Sequence, residues 1–319
     1  MSRIPRSRLL TALAATAAIL ALSACGPTGS ESERVKPDTP LVYSQVQTYP
    51  DIRVTENVVY GTAGTEPLLL DICHPKDDDN PTIAGPLRAI ISVHGGSWRA
   101  GDKANINWRS VCQWLASEGF VTFSINYRLA PVYTYPAQIE DVRAAVRWLR
   151  QPEQAANYNI DPARIGAFGG SAGGNLVTLL GLEGSGAWDA GSRVAAVADL
   201  SGPVDLTTAG AQRDGVTPAF QDVQAAYLGC TILDDCPQAQ LASPLFDIDE
   251  TDPPFFVANS TLELIPIGQS EELVTALRQH GVDTTSVTVK GTLHSIAVLD
   301  DDMKSRIVAF FRAKLGSPP

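Results

Sequence analysis

Arg164-Ile-Gly-Ala-Phe-Gly-Gly-Ser-Ala-Gly-Gly-Asn175 is the stretch that decides how this chain is read. Residues 165–168 form a short apolar run of strand character, and residues 175–182 open an apolar-faced helix. Between them, Gly169-Gly170-Ser171-Ala172-Gly173 fits the G-x-S-x-G turn, which is too tight for side chains at its flanks. A Cβ on either outer glycine would collide with the neighbouring strand or helix, and the central residue is held in a strained backbone. The expected result is an exposed Ser171 hydroxyl at a helix N-terminus, where the dipole favours developing negative charge. A chain with 26 glycines can hold such a pattern by chance, so the surrounding sequence must supply its partners.

The ends of the chain read differently from its middle. Arg3, Arg6 and Arg8 precede an alanine-rich apolar run over residues 9–22, too short for a convincing membrane span. Residues 1–24 therefore read as a signal peptide. Its last residues, Leu22-Ser23-Ala24-Cys25, resemble a bacterial lipobox, in which Cys25 becomes lipidated and tethers the protein to a membrane. Cleavage elsewhere, or a plain N-terminal anchor, is the simpler alternative. Residues 25–40 carry Gly, Pro, Ser, Thr and charges without apolar periodicity, as a flexible tether does. Residues 41–319 read as one domain. A net charge of −11, with no Lys/Arg cluster outside the signal, argues against a nucleic-acid partner.

Beyond Cys25 lie Cys73, Cys112, Cys230 and Cys236, with no C-x-x-C pair to suggest zinc. An extracytoplasmic address permits disulfides. Cys230 and Cys236 flank a short loop suited to a bridge, whereas Cys73 and Cys112 can be either bridged or buried thiols.

Strand-like runs at residues 54–60, 68–73, 87–93, 120–126, 194–200, 255–258 and 286–289 alternate with helical patterns through most of the domain. The first two read as an antiparallel opening pair, and the alternation that follows predicts an α/β fold with a mostly parallel sheet covered on both faces. Residues 203–252 interrupt the rhythm: long, polar and irregular, with one helix near 222–228, they suit either a lid or a plain surface excursion.

A serine nucleophile needs a base, an acid that orients it, and donors for the oxyanion. In the strand-turn-helix setting of this motif the base follows the nucleophile, which sets aside His74 and His94 among the four histidines. His280 adjoins Gly281 at a helix end and suits capping or solvent. His294, in the loop after the final strand, is the expected base. Val93-His-Gly-Gly-Ser-Trp98 follows a strand and offers the backbone N–H groups of Gly95 and Gly96, joined by that of Ala172, to an oxyanion. Trp98 and Trp108 are candidates for a substrate pocket wall, or ordinary core aromatics.

Further segments extend this pattern: Gly101-Asp-Lys103, Asn126-Tyr-Arg-Leu-Ala-Pro131, Tyr135-Pro136, and Glu140-Asp-Val-Arg-Ala-Ala-Val-Arg-Trp-Leu149. Asp161-Pro-Ala-Arg-Ile165, Ser201-Gly-Pro203 and Pro253-Pro-Phe-Phe256 continue it, in order, across nearly the whole domain. With these, the chain resembles the α/β-hydrolases, and within them carboxylesterases of the hormone-sensitive-lipase-like and feruloyl-esterase-like (BD-FAE) groups. The resemblance implies an eight-stranded sheet, hydrolysis of a small-molecule or lipid ester through Ser171, and no metal or organic cofactor. It also implies an aspartate in the turn after the strand at Pro253-Pro254, and there the chain departs. Leu262 occupies that position and Glu263 follows. Three readings result: Glu263 serves as the acid, Asp205 or Asp247 approaches from elsewhere, or the acid is absent. A peptidase of the prolyl-oligopeptidase type shares the serine turn, and a non-catalytic surface lipoprotein built on the same fold would explain Leu262.

Overall fold

A computed structural model describes residues 47–75 and 85–316 of the chain. The expected signal peptide, Cys25 and the tether lie outside the described residues. Strand β1 (Arg53–Ala63) turns at Gly64 into β2 (Glu66–His74), and the two pair antiparallel as the opening hairpin. From there strand and helix alternate: β3 (Leu87–Val93), α1 (Ile106–Ser117), β4 (Val121–Ile125), α2 (Ala137–Leu149), α3 (Pro152–Asn157), β5 (Ile160–Gly170) and α4 (Ala172–Gly181). Strand β6 (Ala196–Leu200) leads into α5 (Thr208–Asp214), α6 (Pro218–Leu228) and α7 (Gln238–Leu241). Then follow β7 (Phe255–Ser260), α8 (Ile267–Gln279), β8 (Thr284–Val289) and α9 (Asp301–Lys314).

Among the described residues the strands form one sheet of eight in the order β1-β2-β4-β3-β5-β6-β7-β8. Pairing is antiparallel from β1 to β2 and from β2 to β4, and parallel through the remaining strands. The mostly parallel α/β-hydrolase sheet expected from the sequence is the one observed.

Period-two alternation along the parallel strands feeds two cores, one on each face. Ala89, Ile91, Val93, Ile165, Ala167, Val197, Phe255 and Val257 point into the larger core with residues of α2, α4 and α8. Ile90, Phe168, Ala196, Ala198, Leu200, Phe256 and Ala258 point into the other, which α1 and α9 cover. Both faces of the sheet are buried, as the near-continuous apolar strand sequences require. Helix α9 has a complete set of end signals: Asp300 accepts from the Met303 N–H at 2.8 Å, Asp301 and Asp302 stand in the first turn, and Arg312 and Lys314 in the last.

Residues 203–252 are not the irregular stretch that their polarity suggested. They hold α5, α6, α7 and two short 3-10 turns. Thr207 and Thr217 cap α5 and α6, and Gly215 and Gly229 end them in the left-handed conformation. Cys230 and Cys236 are bridged within this segment, and a second disulfide joins Cys73 of β2 to Cys112 of α1.

Candidate active site

Five parallel strands deliver the candidate residues to one edge of the sheet, the carboxyl ends where α/β folds place their sites. Strand β5 ends at Gly170, and Ser171 follows at φ 56°, ψ −125°, as the N-cap of α4. That conformation is strained for a residue with a side chain, and it aims the hydroxyl away from both strand and helix. The reason for glycine around it is measurable. A Cβ on Gly173 would lie 2.1 Å from the Val93 carbonyl oxygen, and one on Gly169 2.3 Å from the carbonyl oxygen of Gly173. Ser171 donates its own N–H to Leu200 O of β6 at 2.9 Å, fixing the turn to the neighbouring strand.

The loop after β3 runs directly against this turn. A Cβ on Gly95 would lie 2.8 Å from Gly170 O and 3.2 Å from Ser171 Cβ, so only bare backbone passes here. Gly95, Gly96 and the first residue of α4, Ala172, thus surround Ser171, and helix-initial N–H groups such as that of Ala172 lack an intrahelical acceptor. The loop is held from behind. His94 is buried and stacked on Tyr127 at 4.4 Å, its Nδ1 is 2.8 Å from Gly95 O, and the Tyr127 hydroxyl donates to His94 O at 2.9 Å. Burial lowers the pKa of His94, against the pull of Gly95 O and Asp102, so it stays neutral as a structural residue of the loop. Further along, Lys103 is buried on Asp71 at 2.8 Å, and Arg109 of α1 reaches the same carboxylate at 2.6 Å, locking loop, hairpin and helix together.

His294 stands in the loop after β8 and Glu263 in the turn after β7. Their side chains meet: His294 Nδ1 is hydrogen-bonded to Glu263 Oε2. The turn that presents Glu263 is stitched to the β8 loop by three bonds. Thr261 N–H donates to Val289 O and Leu262 N–H to Gly291 O, both at 2.9 Å, and Gly291 N–H donates to Thr261 Oγ1 at 3.1 Å. These bonds turn Leu262 outward, 74% exposed, while the Glu263 side chain is fully buried. The Glu263 carboxylate also accepts from Ser201 Oγ at 2.6 Å and from the Ser260 N–H at 3.1 Å. The other two acids considered are engaged elsewhere or distant in kind: Asp205 pairs with Arg213, and Asp247 ends a 3-10 turn with its pKa raised by burial.

Ser171 and His294 open into a cavity of about 340 Å³, lined also by Gly95, Gly96, Asn105, Trp108 and Leu264. Trp108 lines this cavity and also packs into the core on the α1 face of the sheet. Trp98 does not line it. It is fully buried, donates from its indole N–H to Asn175 Oδ1 at 3.2 Å, and stacks on Tyr227 of α6. Its backbone lies at φ 56°. No residue of 203–252 lines this cavity. Sequence reasoning passed over Asn105 and Leu264. The first is the N-cap of α1, its side chain accepting from Asn107 N–H, and that capping role was legible. It also left Ser201 without a role, although Ser201-Gly-Pro203 was noticed as a motif.

Comparison with known proteins agrees with this geometry. The BD-FAE family model matches residues 70–277. The esterase LipQ of Mycobacterium tuberculosis is 31% identical over 262 residues, 80% of this chain and 60% of LipQ. Mouse neutral cholesterol ester hydrolase 1 is 40% identical over 108 residues, 33% of this chain and 26% of its own length. The chain thus spans less than two thirds of these curated relatives. Among solved structures, a truncated carbohydrate esterase from gut microbiota superimposes with a TM-score of 0.66 at 28% identity, covering 82% of this chain and 96% of that one. With the serine turn, the glycine loop and His294 gathered on one cavity and Glu263 bonded to His294 behind it, this chain belongs to the BD-FAE family of the α/β-hydrolases.

Proposed function

We propose that this protein is a carboxylic ester hydrolase that works through an acyl intermediate on Ser171. The observation that carries this reading is the His294–Glu263 hydrogen bond at the wall of the cavity that holds Ser171 and the Gly95–Gly96 loop. With Nδ1–H committed to the Glu263 carboxylate, Nε2 of His294 is the free acceptor. It takes the Ser171 proton as Oγ attacks the ester carbonyl, and the N–H groups of Gly95, Gly96 and Ala172 hold the developing oxyanion. His294 then gives that proton to the departing alcohol as the ester C–O bond breaks. Water, deprotonated by the same nitrogen, releases the acid and restores Ser171. Glu263 holds the imidazole in the working tautomer and balances its positive charge. The substrate is a small-molecule or lipid ester, and the apolar wall of Trp108 and Leu264 favours an apolar acyl or alcohol group.

The enzyme acts outside the cytoplasm, held to a membrane by a lipid on Cys25. The basic leader, the apolar run and Leu22-Ser23-Ala24-Cys25 support this, as do disulfides Cys73–Cys112 and Cys230–Cys236, which persist in oxidising compartments.

Labelling with a fluorophosphonate, alongside hydrolysis of p-nitrophenyl esters of graded chain length, tests the chemistry. Wild type labels and turns over ester, and Ser171→Ala does neither. A Ser171→Ala variant with undiminished turnover, or a wild type inert to both probes, rules the reading out. Loss of membrane partitioning in Cys25→Ser tests the anchor, and unchanged partitioning refutes it.

A further inference from the structure

Glu263 has two carboxylate oxygens, and only one faces His294. The other accepts from Ser201 Oγ at 2.6 Å. Ser201 follows β6, is buried, and sits at φ 61°, a conformation disfavoured for a side-chain-bearing residue. The fold maintains it through the Ser201 N–H, which donates to Ala258 O of β7 at 2.9 Å. Its hydroxyl is addressed from the opposite side as well: the Ser295 N–H donates to Ser201 Oγ at 3.0 Å. A serine hydroxyl has a single proton. With Ser295 N–H occupying a lone pair, that proton is directed at Glu263.

The contacts close on themselves. Ser295 N–H donates to Ser201, Ser201 donates to one oxygen of Glu263, His294 binds the other, and His294 is joined to Ser295 by a peptide bond. We propose that Ser201 is a positioning residue for the reaction, fixing at once the plane of the Glu263 carboxylate and the loop that carries His294. Glutamate has one more rotatable bond than the aspartate of the family pattern, and it enters one residue later in the turn. Ser201 supplies the constraint that the longer side chain lacks, so that displacement of the acid leaves the imidazole oriented. This rests on the reading of Ser171, His294 and Glu263 as the reacting set.

The test is a double-mutant cycle on the full chain with p-nitrophenyl acetate. Ser201→Ala and Ser201→Gly both remove the hydroxyl, and glycine adopts the positive φ without strain, so it carries the test should alanine destabilise the fold. In an otherwise wild-type background each lowers kcat by about 100-fold, as small displacements of an oriented group do, with KM within about two-fold. In a Glu263→Gln background the same substitution costs about ten-fold or less, because the carboxylate it orients is gone and only its hold on the Ser295 N–H remains to be lost. Unchanged kcat in Ser201→Gly, or an equal loss in both backgrounds, overturns the inference while leaving the triad reading intact. Full activity in Ser171→Ala instead overturns the triad reading, and this one with it.

Discussion

The rings of Trp98 and Tyr227 lie parallel, 5° apart in plane with centroids 4.3 Å apart. One belongs to the loop that follows Gly95 and Gly96, the other to α6 in the segment between β6 and β7, so this helix buttresses the glycine loop. Tyr227→Ala is expected to cost about 3–4 kcal/mol of stability and to lower ester turnover through the loop. Its hydroxyl is buried without a partner among the described residues, so Tyr227→Phe should be neutral or stabilising by about 1 kcal/mol. Urea unfolding of the two variants checks this. Equal destabilisation by both would mean that the hydroxyl, not the ring, makes the contact.

Glu263 and Leu262 invite a swap. Glu263→Gln should lower kcat by about three to four powers of ten, the usual cost of losing the orienting acid. Leu262→Asp places a carboxylate on a side chain that faces solvent, so it should leave wild-type activity within a few-fold and fail to rescue Glu263→Gln. Rescue in steady-state kinetics would show that the turn can re-register, contrary to its three bonds with the β8 loop.

Asp199, at the end of β6, lies fully buried behind the site. Desolvation pushes its carboxyl up to about 7, against the pull of the Gly202 N–H and the Thr178 hydroxyl and with a further push from Glu263. The folded protein therefore keeps a proton that the unfolded chain releases near pH 4. Stability should fall as pH rises from about 4 to 7 and level off above, by an amount on the order of a few kcal/mol. Asp199→Asn removes this slope. Urea midpoints compared at pH 5, 6, 7 and 8 would sink the idea if the two proteins ran parallel.

The two disulfides close loops of very different size, with separations of 39 residues for Cys73–Cys112 and 6 for Cys230–Cys236. Loop-closure entropy makes removal of the first cost about 4 kcal/mol and of the second about 2 kcal/mol. Paired Cys→Ser variants, compared by thermal melts under non-reducing conditions, should rank in that order, and the reverse order would argue that strain or residual structure dominates.

Periodicity and the glycine punctuation made the sheet legible from the sequence, because each strand had to be apolar on both faces and each turn needed a specific backbone. Helix α5 was hidden by its polarity and α6 was read only over residues 222–228, although Thr207 with Gly215 and Thr217 with Gly229 mark their ends. What no local pattern could disclose was contact between residues far apart in sequence. Glu263 meets His294 because β7 and β8 are neighbours in register, and Ser201 meets Glu263 because β6 lies beside β7. For Trp98 the sequence left pocket wall and core aromatic both open, and only the packing of its ring on Tyr227 places it in the core.

The division of the cavity between sheet and rim has a practical meaning. Ser171, Ser201, Glu263 and His294 each hang from a different strand, braced across the edge of the sheet. Asn105 and Trp108 belong to the first turn of α1, a separate element on one flank. Residues on that flank can be varied without breaking any bond that holds His294 to Glu263. The molecule thus lends itself to re-targeting: libraries built on Asn105 and Trp108 would explore new esters while inheriting the reacting geometry unchanged.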